Sequence, residues 1–133
     1  MKLHFLKLFL ALFCSAFVLS ACGGKSEADV AKGFYTSIAS GKSDEAIAML
    51  DLSSVSAQEL SMANSKLKMI FDELKNQFDQ MGGLKSVDVT NKTVASDGKT
   101  AEVTLTLTFG NGTTKTETMN LIKVGSDWKI SMK

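Results

Sequence analysis

The apolar residues of this chain change their period once, at Gly82-Gly83, and that change restricts the fold more than any other feature. Before it, Leu60, Ala63, Leu67, Ile70, Leu74, Phe78 and Met81 recur at spacings of three and four, the repeat of one helix face, which predicts a long helix from Ser56 to Met81. After it, Ala101, Val103, Leu105, Leu107 and Phe109 alternate with Glu102, Thr104, Thr106 and Thr108, the pattern of a half-buried strand. A chain that spends its first part on helices and its last part on such strands is an α+β domain, with the helices on one face of an antiparallel sheet.

The other elements follow from the same signals. Val30, Phe34 and Ile38, with Ala31 and Tyr35 beside them, form the apolar stripe of a first helix; Ser26 and Asp29 suit its N-terminus and Gly41 its stop. Ser43-Asp44-Glu45 opens a second, short helix with Ala46, Ile47 and Leu50 inward. Turns at Asp97-Gly98 and Asn111-Gly112 join the central strand to Val87–Val94 and Thr113–Val124, and Trp128, Ile130 and Met132 form a fourth strand. The register between the central strand and Thr113–Val124 has two solutions. A two-residue Asn111-Gly112 turn turns Thr114, Thr116 and Thr118 inward, whereas a three-residue loop from Gly110 turns Met119 and Leu121 inward. On the long helix, Lys68 with Asp72 and Lys75 with Asp79 are spaced for i,i+4 pairs, and Met62, Met69 and Met81 are expected to fill gaps in the core.

Ahead of these elements, Lys2 and Lys7 precede an apolar run from Leu8 to Leu19, then Ser20, Ala21 and Cys22. This is the layout of a secretory leader, and the run is shorter than the roughly 18–20 residues a membrane-spanning helix needs. Leu19-Ser20-Ala21-Cys22 resembles the lipobox of bacterial lipoproteins. The resemblance implies removal of residues 1–21, acylation of Cys22 (palmitate is typical of such anchors), a lipidated tether over residues 22–25 and a single domain over residues 26–133. Gly23, in place of a retention aspartate, implies the periplasmic face of the outer membrane as the address. The membrane, through acyl chains, is thus the first expected partner.

Loss of residues 1–21 removes Cys14 and His4, leaving one cysteine and no imidazole. That excludes Cys/His metal sites and Ser-His or Cys-His nucleophile systems, so no metal, no cofactor and no catalytic residue is expected. All fifteen cations are lysines, spread singly, which disfavours bidentate capture of anions and gives no basic stripe for nucleic acid.

The order of elements, the Phe34-Tyr35 pair, the Ser43–Leu50 corner and the closing Asp127-Trp128-Lys129-Ile130 resemble the nuclear-transport-factor-2-like bacterial lipoproteins. The resemblance implies a curved four-stranded meander wrapped around the first helix, with a cavity between them. Phe34, Tyr35, Ile38, Leu105, Leu107 and Phe109 are the residues expected to line it, for a small apolar ligand or, if the cavity is filled, to back a surface that docks an envelope protein. Catalytic relatives use pocket carboxylates with tyrosine or histidine; here Tyr35 has no assignable carboxylate partner, and an enzyme pairing Tyr35 with a pocket carboxylate is the rival expectation to a binding module. Both Tyr35 and Trp128 are expected to be packing residues.

Overall fold

The structure, a computed structural model, describes residues 25–132. The proposed leader and Cys22 lie outside the described residues. Helix α1 spans Glu27–Ala39, α2 Ser43–Ala48 and α3 Ala57–Gln80. Strands β1 (Leu84–Val94), β2 (Thr100–Phe109), β3 (Thr114–Val124) and β4 (Asp127–Ile130) follow, and pair antiparallel in the order β1-β2-β3-β4. The fold is the expected α+β arrangement of helices on an antiparallel meander.

Local chemistry accounts for the helix ends. Ser26 and Asp29 form a capping box, the Asp29 amide donating to Ser26 Oγ at 3.2 Å and the Ser26 amide to Asp29 Oδ2 at 3.4 Å. Ser56 Oγ accepts from the Glu59 amide at 3.3 Å at the start of α3. Val30, Ala31, Phe34, Tyr35 and Ile38 of α1 are buried against Ala101, Val103, Leu105, Leu107 and Phe109 of β2 and against α3. The threonines between those β2 residues point to the other side, where Thr104 Oγ1 and Thr118 Oγ1 lie 3.2 Å apart.

The β2–β3 hairpin takes the three-residue loop. Thr108 pairs with Thr114, the Phe109 amide donates to the Thr113 carbonyl, and the Gly112 amide closes a turn on the Phe109 carbonyl. Gly112 is left-handed, with φ of 87°, as the last position of such a loop requires. This parity puts Met119 and Leu121 inside and sends Thr114, Thr116 and Thr118 outward. The loop tip is also fastened to the end of α3. Gly110 donates to the Gly83 carbonyl and Asn111 to the Met81 carbonyl, each at 2.9 Å, and the backbones of Gly82 and Gly110 touch.

Two expectations are corrected. On α3 the buried line runs through Phe71 and Phe78, with Leu67 and Leu74 partly covered, while Ile70 is 57% exposed, Met62 66% and Met69 72%. A residue one step from Phe71 is rotated by about 100° on the helix, so Ile70 falls on the flank of the line rather than in it. Leu60 is exposed as well, because the first turns of α3 have no layer beneath them. At the C-terminus, β4 ends at Ile130 and Met132, two residues beyond the last pair, is exposed; Ile130 also pairs on its far side with the segment after α2, its amide donating to the Met49 carbonyl and the Asp51 amide to its carbonyl, both at 2.8 Å. Of the two expected pairs on α3, Lys75–Asp79 forms at 2.7 Å, whereas Asp72 accepts from Ser43 Oγ, tying α3 to α2.

Candidate functional site

The side of the sheet facing α1 is where a cavity was expected, and the six residues expected to line it do come together there. Phe34 and Tyr35 are neighbours on one turn of α1 and Ile38, four and three residues on, shares their face on the next; Leu105, Leu107 and Phe109 rise from β2 because they alternate. None is more than 9% exposed. The space between them is taken by aromatic rings: Phe34 meets Tyr35 edge-on at 5.2 Å and Phe71 at 5.4 Å, and Phe78 lies tilted on Phe109 at 5.1 Å. Five open depressions of about 310–590 Å³ on the surface of the described residues are lined by residues other than these six.

One polar feature reaches this interior. Burial, reinforced by the nearby Glu117 carboxylate, pushes the Tyr35 phenol up to about 12. Glu117 stands on the same side of β3 as Met119, opposite Leu105. Sequence reasoning left Tyr35 without a carboxylate because Glu117 becomes its neighbour only in the three-residue register; under the two-residue alternative it faces away. The phenol stays neutral, and no thiol or imidazole exists within residues 25–132 to build a nucleophile system around it.

At the start of α1, Glu27 is nearly buried and its carboxylate takes Lys92 of β1 at 2.7 Å, a bond that holds the carboxyl below its ordinary value of 4.5. Trp128 is packed as expected, with Lys123 Nζ 5.7 Å from the centre of its ring. Beside Trp128, an open groove of about 590 Å³ runs between the start of α1, the end of α2 and β4. Among the described residues there is no cluster of three or more metal-ligating side chains, and no helix long and apolar enough to cross a membrane.

Residues 20–131 match the family model of a domain of unknown function, DUF4878. The chain belongs to the DUF4878 family. A crystal structure of a Campylobacter jejuni protein named an NTF2-like transpeptidase superposes on this DUF4878 chain with a TM-score of 0.75 at 24% sequence identity, covering 82% of this chain and all of that one. The likeness shows the fold: three helices followed by an open four-stranded antiparallel sheet, of NTF2-like type. The intermembrane space region of the chloroplast protein ARC6 also aligns, over 80% of this chain and 94% of that one at 19% identity, but its TM-score is 0.31 and nothing is drawn from it. No protein of curated function matches the DUF4878 chain.

Proposed function

We propose that this chain is a lipid-anchored protein of the bacterial cell envelope, held by acyl groups on Cys22 after removal of residues 1–21. On this reading its NTF2-like domain is a non-enzymatic module that docks another envelope protein at the periplasmic face of the outer membrane. The observation that favours docking over capture of a small apolar ligand is the filled interior. The residues that would line a pocket are in contact with one another and with Phe71 and Phe78, and pockets that hold small molecules commonly need about 300–1,000 Å³ of concave space. The transpeptidase name belongs to the Campylobacter jejuni protein alone, since a likeness at 24% identity carries the fold and not the activity. Acyl transfer through a thiolate needs a cysteine and a base to activate it, and the domain from Lys25 onward has neither cysteine nor histidine.

Native mass spectrometry of the acyl-free domain, purified gently from its own host, tests the reading. The expected result is the bare protein mass, followed by capture of a discrete envelope protein when photo-crosslinkers are placed at surface positions such as Thr106 and Lys85 in intact cells. A stoichiometric co-purifying small molecule, or turnover by the purified domain, would overturn it. The anchor is tested separately, by the acyl mass on the Cys22 peptide and its loss in Cys22→Ser.

A further inference from the structure

The groove beside Trp128 occupies a particular place relative to the tether. Its walls are Lys25 and Val30 from the start of α1, Met49 after α2, and Trp128 and Lys129 of β4. Lys25 is therefore both the first residue of the described domain and a wall of the groove. Cys22 is three residues earlier, so even a fully extended chain places its sulfur-bearing residue within about 10 Å of Lys25. A lipid on Cys22 must leave the protein beside this groove.

The composition of the groove suits what lies at that distance. Val30 and Trp128 are buried and form an apolar floor, with Met49 partly covered beside them. The rim carries both signs of charge, Lys25 and Lys129 against Glu45 and Asp127, and none of these four is ion-paired within the described residues. Lys129 is instead pinned by donating to the Ala48 carbonyl at 2.7 Å, and Lys123 lies over the Trp128 ring. Lysines around a tryptophan on an apolar floor match the interfacial layer of a bilayer, where an amphipathic ring sits at headgroup level and ammonium groups meet phosphates. Two unpaired carboxylates beside them match the ammonium of a zwitterionic headgroup. A free acyl chain is the poorer occupant, because the groove is open to solvent and each methylene kept out of the bilayer forfeits its burial there.

We propose that the groove between the start of α1, the end of α2 and β4 is the membrane-facing surface of the domain, seated on phospholipid headgroups. The proposal takes its tether from the anchor proposed at Cys22. Seating this groove on the bilayer leaves α3 and the threonine face of the sheet free for a partner.

Trp128 is the only tryptophan in the chain and so reports on the groove directly. The whole core cluster lies between Val30 and Ile130, so residues 22–133 contain everything the fold requires, and Cys22 is the one thiol in that segment. The segment is coupled through Cys22 to a maleimide phospholipid in vesicles of phosphatidylethanolamine and phosphatidylglycerol, prepared with and without a phospholipid brominated near the headgroup. The expected result is at least twofold quenching of Trp128 emission by the brominated lipid, weakened in Lys25→Glu and unchanged in Lys66→Glu on α3. An unquenched Trp128, whether the domain faces away or a second copy covers the groove, overturns the proposal, as does equal quenching in the two lysine variants. Because the coupling is chemical, this outcome does not depend on natural acylation. Quenching together with an unacylated native Cys22 would support the groove while refuting the anchor.

Discussion

Gly110→Ala isolates the contact that joins the two halves of the fold. A methyl group at Gly110 would run into the backbone of Gly82, meeting its carbonyl oxygen first and its carbonyl carbon at 2.9 Å. Neither partner is a side chain that can swing aside, so the β2–β3 loop must lift off the end of α3. Lifting breaks the hydrogen bonds from Gly110 to Gly83 and from Asn111 to Met81, each worth about 1 kcal/mol net. It also loosens the contact of Phe78 with Phe109, an aromatic pair of the kind worth about 1 kcal/mol beyond its burial. The expected loss is about 3 kcal/mol, or roughly 15 °C in Tm for a domain of this size. Urea unfolding followed by Trp128 emission measures it. Gly112→Ala is the contrast: its added methyl meets nothing within 4 Å, but φ of 87° costs an alanine about 1–2 kcal/mol. Asparagine, which tolerates that conformation, should recover much of the loss at Gly112 and none at Gly110. A Gly110→Ala protein within about 0.5 kcal/mol of the parent would refute the close approach of helix end and hairpin tip.

Tyr35 is the only tyrosine, and its ultraviolet titration should have a midpoint near 12, falling only partly toward 10 in Glu117→Gln because burial, the larger cause, remains. Because the folded state favours the neutral phenol, its contribution to stability is complete below pH 10 and is lost as pH rises from 10 through about 12. For Glu27 the sign is opposite. Its carboxyl is held below 4.5 by Lys92, so the pair stabilises above that pH, and the stabilisation is lost as pH falls through the lowered value. Lys92→Gln should cost about 1 kcal/mol at neutral pH, the Lys92 side chain being partly in solvent, and nothing in strong acid; a deficit independent of pH would contradict the pairing. Phe78→Ala should cost about 3–5 kcal/mol in urea unfolding, while Met69→Ser should stay within about 0.5 kcal/mol; comparable losses would place Met69 in the core after all.

Much of the fold was legible without coordinates because its signals are local. The four-residue spacing of Val30, Phe34 and Ile38 and the alternation from Ala101 to Phe109 each depend only on the geometry of one element, and the Ser26–Asp29 box is complete within a single turn. Exclusion of thiol and imidazole chemistry from residues 25–132 required only the positions of Cys14, Cys22 and His4. What tertiary structure alone decided depends on two elements at once. Both hairpin registers satisfied the local turn rules. The three-residue loop buries Met119 and Leu121, fits the Gly110 backbone against Gly82, and in doing so brings Glu117 to Tyr35. Likewise, spacings of three and four on α3 are met by lines through both Ile70 and Phe71. The neighbour that covers one of them, α1 with Phe34, put Phe71 inside and left Ile70 and Met69 in solvent. Periodicity tells which residues share a face; only the packing of a second element tells which face is buried and whether the space enclosed is a pocket or a core.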